Sequence, residues 1–224
     1  MFPFPIAKPQ KCDIQTFYGS STEAQIRNQR AWNKPVGVSH VYMLLIGAGG
    51  SPGSGAQGGG SGAVTVWYGA AQHVPDVLII QPGATNEGFD TAVSYRSRGT
   101  SLVTLLSAPS ALTTTAGTAA TAGPFAASGF YKSVAGVTGD TGVVSASSTT
   151  FLSPGTAASN IVNANYGYQN ANSSSSTAAD GYFQLQPIIV GVGGSGTFRG
   201  GVGCGGGNST AGLGGPGMVL IASW

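Results

Sequence analysis

Val38-Ser39-His40-Val41-Tyr42-Met43-Leu44-Leu45-Ile46 runs directly into Gly47-Ala48-Gly49-Gly50, and that junction decides the fold. From Met43 onward the run is apolar at odd and even positions alike. Successive side chains of a strand point to opposite faces, so this pattern predicts a strand that is covered on both sides. The glycines end it. Residues 47–62 read as a long glycine-rich loop, after which Ala63-Val64-Thr65-Val66-Trp67-Tyr68 resumes as a strand, giving a hairpin with an enlarged loop.

Working outward, Val77-Leu78-Ile79-Ile80-Gln81 is a further strand stopped by Pro82-Gly83, and shorter strands fit residues 91–95 and 102–106. Tyr182 to Val190 repeats the theme before a second glycine loop over 191–207, and Met218-Val219-Leu220-Ile221-Ala222-Ser223-Trp224 closes on a strand that belongs in the same sandwich as the first. Nothing between Val36 and Trp224 has a 3.6-residue apolar period with good helix formers, which excludes a βαβ architecture. The expected fold class is all-β: a jelly-roll-like β-sandwich with long glycine-rich loops and an extended N-terminal arm.

Residues 1–34 read as that arm. Pro3, Pro5 and Pro9 impose an extended start, Thr22 to Arg30 fits a short helix capped at Ser21 or Thr22, and Phe2, Phe4 and Ile6 alternate with prolines. Such a segment lays apolar side chains into a groove, either on a neighbouring copy or on its own domain, which makes these three residues the candidate assembly contacts. Residues 35–224 form the expected glycine-rich domain, with 108–180 an Ala, Ser, Thr and Gly-rich insertion of short strands and loops in which aromatics recur.

Charge is the most unusual feature of the composition. Only 7 % of the 224 residues are Asp, Glu, Lys or Arg, where an ordinary domain carries about 25 %. A free monomer's surface normally needs more, so the shortage points to a surface that faces a partner or a copy of itself; the plainer alternative is solvation by Ser, Thr and Asn. Hydrophobic residues at 41 % are enough for a core, which argues against disorder despite the glycines. The net charge of +2 implies no nucleic-acid partner, and the five basic residues Lys8, Lys11, Arg27, Arg30 and Lys34 read as a solvated segment rather than a nucleic-acid contact. Cys12 and Cys204 stand alone near opposite ends, without disulfide or zinc spacing. No secretory pattern opens the chain and no apolar run is long enough to span a membrane, so assembly in a cytoplasm is expected.

Motifs that suggest chemistry fail on context. Gly191-Val192-Gly193-Gly194-Ser195-Gly196 has the dinucleotide spacing, but the glycine-rich stretch after it cannot open the helix whose N-terminus would hold a pyrophosphate. No Gly-Lys pair exists for a phosphate loop. His40 alternates with Val38, Tyr42 and Leu44 and reads as a sheet histidine; the acids stand singly, with Asp76, Glu87 and Asp90 placed to serve turns. Paired carboxylates for glycoside hydrolysis are not signalled, and Asn172 and Asn208 head chance glycosylation sequons. No catalytic residue, metal or cofactor is expected.

Trp32-Asn33-Lys34-Pro35-Val36-Gly37-Val38, the strand to Ile46, the glycine run, Pro82-Gly83, Thr100-Ser101-Leu102-Val103 and the closing Gly214-Gly215-Pro216-Gly217-Met218-Val219-Leu220-Ile221-Ala222-Ser223-Trp224 follow one another in an order that resembles the glycine-rich domain of bacteriophage tail fibres, minor tail proteins and other virion proteins. The resemblance spans about Trp32 to Trp224; the arm is extra, and residues 108–180 are longer and poorer in glycine than that pattern. It implies a virion protein with projecting glycine loops and no enzymatic residues. The expected function is therefore a virion structural component, a capsid, decoration or spike and fibre subunit, whose partners are itself and other virion proteins. The alternative is a host-receptor-binding tip whose exposed loops are marked by Gly49, Gly53, Gly59, Gly194, Gly201 and Gly206; a surface-polysaccharide depolymerase is a remote third. Long glycine runs persist where backbones approach closely and pair, in sheet-like or polyproline-II-like bundles, and neighbouring copies are one source of such pairs.

Overall fold

The structure is a computed structural model and describes residues 12–19, 29–51, 59–85, 88–97, 101–139, 202–203, 205 and 214–224. Among these the chain forms β1 (Asp13–Tyr18), β2 (Arg30–Asn33), β3 (His40–Ile46), β4 (Val64–Ala70), β5 (Val77–Gln81), β6 (Thr91–Arg96), β7 (Leu102–Ala108), β8 (Gly129–Val134) and β9 (Met218–Ser223). They make two antiparallel sheets packed face to face: a first in the order β1-β9-β3-β4-β8 and a second in the order β2-β5-β6-β7. The fold is all-β and sandwich-like.

Alternation along each strand builds the core. Phe17, Met43, Leu45, Trp67, Val219 and Ile221 point inward from the first sheet and meet Trp32, Leu78, Ile80, Val93 and Leu106 from the second. Burying each such side chain contributes about 1.5–3 kcal/mol before entropy is subtracted. Trp67 stacks on Phe125 with ring centroids 4.7 Å apart. Gly69 and Gly129 face each other across β4 and β8, and a Cβ on either would run into the Trp67 indole.

β3 is covered on both faces, as its unbroken apolar run requires. Val41, Met43 and Leu45 enter the core between the sheets, while Leu44 and Ile46 join Val64, Met218, Leu220 and Ala222 in a second buried cluster on the other side of the first sheet. The closing strand pairs directly with β3, Leu44 opposite Leu220 and Ile46 opposite Met218. The hairpin of β3 and β4 is also present, in register from His40–Ala70 to Ile46–Val64.

One correction concerns the N-terminal segment. β1 is an edge of the first sheet and β2 an edge of the second, so residues 13–18 and 30–33 are structural members of the sandwich rather than parts of an arm. β1 is hard to recognise because an edge strand needs only one well-buried side chain, here Phe17, among half-exposed polar neighbours. Of the helix expected over 22–30 only the last two residues are described, and Arg30 begins β2. Phe2, Phe4 and Ile6 lie outside the described residues, as do residues 140–180 of the expected insertion and the strand over 182–190.

Candidate functional site

The two ends of the first sheet are built from different materials. At one end every strand runs into a glycine-rich or small-residue segment. β3 exits into Gly47–Gly50, β4 enters from residues 59–63, β9 enters from 214–217, β1 exits into Gly19 and β8 into Ala135-Gly136, while β5 of the second sheet exits beside them into Pro82-Gly83. These segments are cross-bonded through their backbones outside the strand ladders: Gly49 N–H donates to Gly215 O at 2.8 Å, Gly50 N–H to Gly60 O at 2.9 Å, Gly62 N–H to Gly203 O at 2.8 Å and Gly203 N–H to Pro216 O at 2.9 Å. Gly217 N–H donates to Gly83 O at 2.9 Å, and Gly19 N–H to Gly217 O at 2.9 Å. Two sequence-distant segments join in, since Gly60 N–H reaches Thr113 O at 2.9 Å and Gly136 N–H reaches Gly117 O at 2.8 Å.

Glycine is required here for a steric reason. A Cβ on Gly62 would collide with the Gly47 carbonyl, and one on Gly214 with the Gly49 carbonyl, both of them backbone groups with no freedom to step aside. Thr91 locks the bundle to the sandwich: its buried hydroxyl accepts from Gly83 N–H at 2.8 Å and donates to Ile46 O at 2.7 Å, tying the second sheet to the end of β3.

This arrangement corrects the expectation that Gly49 and Gly59 mark exposed loops. Both are buried. The backbone groups of a glycine run need partners, and here the chain supplies them itself rather than through a neighbouring copy. Gly53, Gly194, Gly201 and Gly206, like the dinucleotide-like spacing at 191–196, lie outside the described residues.

The opposite end carries aromatic side chains on the outer face of the first sheet. His40, Tyr68 and Trp224 form a triangle with centroid separations of 5.6, 6.1 and 5.8 Å and ring planes within 18° of parallel. Rings so nearly equidistant and parallel stack as an offset cluster rather than in a single column. Backbone pairing sets it: Trp224 N–H donates to His40 O at 3.1 Å and His40 N–H to Trp224 O at 2.9 Å. The His40 Nδ1 lies 2.9 Å from Ser39 Oγ. Tyr42 and Ile14 share this face, as does Phe130 on β8, across the strand pair from Tyr68. Phe130 is 61 % exposed, Ile14 55 % and Tyr68 38 %. Burial pushes the Tyr42 phenol well above its usual range.

Pattern reading places His40, Tyr42 and Tyr68 on one face, but Trp224 joins them only through the register of β9, which no local signal states. The acids are dispersed: Asp13 sits on β1, Asp76 pairs with Lys34 at 2.8 Å in the turn before β5, and Asp90 accepts from Ser110 N–H at 3.2 Å. Among the described residues no group of three metal-binding side chains occurs, Cys12 is a free exposed thiol, and no helix is long and apolar enough to cross a membrane. No family model matches the chain, and neither a curated protein nor a solved structure matches it, so the functional reading rests on the fold and on these two surfaces.

Proposed function

We propose that this chain is a non-enzymatic structural subunit of a phage-like virus particle, a capsid, decoration or spike and fibre component, that assembles with its own copies and with other virion proteins after synthesis in the host cytoplasm. The observation that carries the reading is the outer face of the first sheet at its aromatic end, where Ile14, Tyr68 and Phe130 stand exposed beside the His40–Trp224 pair. A chain with only 7 % charged residues has little with which to keep such a face apart from another. Aromatic side chains in a cluster of this kind are the usual anchors of protein association, and each contact between rings adds about 0.5–1.5 kcal/mol beyond area burial.

On this reading the sandwich is jelly-roll-like, with long glycine-rich loops beyond the bundle and an extended N-terminal segment that reaches a neighbour through Phe2, Phe4 and Ile6. Sedimentation velocity on the full chain at micromolar concentration tests the association. Oligomers are expected, and Tyr68→Glu with Phe130→Glu should shift them to monomer while the fold is retained. A wild-type chain that stays monomeric throughout overturns the reading.

One observation favours a second reading, a host-receptor-binding tip. Among the described residues the glycine segments at 47–50, 59–62, 82–83 and 214–217 gather at one pole, where their backbones bond to one another. Replacing residues 52–58 by a short Gly-Ser linker should then abolish adsorption to host cells and leave particles intact, whereas failed assembly favours the structural role.

A further inference from the structure

The second sheet has an outer face unlike that of the first. On its central strand β6 the outward residues are small, Ala92 and Ser94, while longer side chains flank them: Gln81 on β5, and Leu102 and Thr104 on β7. A sheet whose middle strand carries small side chains between taller neighbours is concave. Here the concavity is a groove of about 450 Å³, closed at the glycine end by Phe89 and Asp90 of the loop that leads into β6.

That loop is held in place. Ser110 Oγ donates to Phe89 O at 2.7 Å and accepts from Ala48 N–H at 2.8 Å, and Ser110 N–H donates to Asp90 Oδ1 at 3.2 Å. Gly88 supplies the positive φ of +65° that the turn needs. The groove wall is therefore anchored to the glycine bundle before any ligand arrives, which lowers the ordering cost of binding.

We propose that this groove binds a neutral saccharide. Its chemistry suits vicinal hydroxyls that both donate and accept. The second oxygen of Asp90 is an acceptor, the Gln81 amide nitrogen a donor while its oxygen accepts from Gln29 Nε2 at 3.2 Å, the Ser94 hydroxyl donates to Thr104 Oγ1 at 3.4 Å and keeps a lone pair to accept, the Thr104 hydroxyl keeps its proton to donate, and the Ser107 hydroxyl serves in either role. Phe89 and Leu102, 36 % and 39 % exposed, flank these polar groups with apolar surface for the C–H faces of a pyranose ring. The volume falls within the range of about 300–1,000 Å³ typical of small-molecule sites.

Among the described residues Asp90 is the one ionisable side chain that lines the groove; Arg96, cross-strand from Leu102, does not line it. Among these lining residues phosphates, sialic acids and uronic acids meet a carboxylate and no cation. A groove this open, with a handful of hydrogen bonds, binds one ring weakly, at a Kd on the order of millimolar, and gains strength when several copies engage one polymer. This inference does not depend on the assembly reading, because the groove lies on the other sheet and is complete within one chain.

The test is a titration of the full chain, followed by isotope-edited NMR, with neutral oligosaccharides of glucose, galactose, mannose and N-acetylglucosamine, and with sialyllactose and oligogalacturonate as anionic probes. At least one neutral probe should perturb the amides of Ala92, Ser94 and Asp90. Ala92→Leu, which fills the floor, and Asp90→Asn, which keeps the Ser110 contact but removes the charge, should each weaken that binding about tenfold or more. Thr104→Val is the further variant should Ala92→Leu fail to fold. Absence of binding by every neutral probe, preference for the anionic ones, or affinity untouched by the folded variants overturns the proposal.

Discussion

The glycine end and the aromatic end of the first sheet are reached by the same strands, yet they are stabilised by opposite means. At the glycine end the backbone itself is the packing material: carbonyls lie where side chains would otherwise be, and the segments are joined by hydrogen bonds such as Gly62 N–H to Gly203 O at 2.8 Å. At the aromatic end the side chains are large: Ile14, Tyr68 and Phe130 are exposed, His40 and Trp224 half-buried, and the rings of His40, Tyr68 and Trp224 stack on one another. The first kind of packing tolerates no added atom, whereas the second tolerates changes to the fold's stability and keeps its consequences for the surface.

The largest expected effect breaks the glycine end. Gly62→Ala places a methyl group against the Gly47 carbonyl, and thermal or urea unfolding should show a loss of about 3 kcal/mol or more. Gly123→Ala is the matched control, because a Cβ there meets nothing within 4 Å; it should be neutral or stabilise by up to about 1 kcal/mol. Equal losses in the two variants would remove the distinction between a packed bundle and ordinary loops.

Thr91→Val comes next. It keeps the shape of the side chain but leaves Gly83 N–H and Ile46 O buried without the hydroxyl that satisfies both, and a cost of about 2–3 kcal/mol is expected in the same measurement. Thr91→Ser, which retains the hydroxyl, should recover most of it. Tyr68→Ser, at the aromatic end, removes two ring contacts and should cost about 1–2 kcal/mol, so that a loss as large as that of Gly62→Ala would mean the aromatic cluster is part of the core.

The smallest effect is one of pH. The Tyr42 phenol is raised by burial, so the folded state holds the proton more tightly than the unfolded chain does. Its contribution is fully present below the ordinary phenol value of about 10 and is lost as pH rises above it. Melting temperature followed from neutral to alkaline pH should fall above that value, and Tyr42→Phe should make the fall shallower.

Much of this architecture is legible residue by residue. The strand over Val77–Gln81 ends where Pro82-Gly83 stops it, and the apolar run Met43 to Ile46 announces burial on both faces. β1 and β2 are not legible in the same way: each is an edge strand with a single fully committed core residue, Phe17 or Trp32, and neither has a period to detect. Nor does any local pattern mark the groove, because Ala92 and Ser94 become a floor only when Gln81 and Leu102 are placed on either side of them.

By itself the sequence determined the all-β class, the main strands and the shortage of charge, because hydrophobic alternation, proline and glycine stops and composition are properties of short windows. Only the tertiary structure decided that Gly49 and Gly59 are interior, that Trp224 joins His40 and Tyr68, and that one sheet face is aromatic while the other is grooved and polar. A glycine carries no side chain to declare its environment. Its burial is fixed by whichever distant backbone comes to lie against it, and strand register, a long-range property, makes that choice.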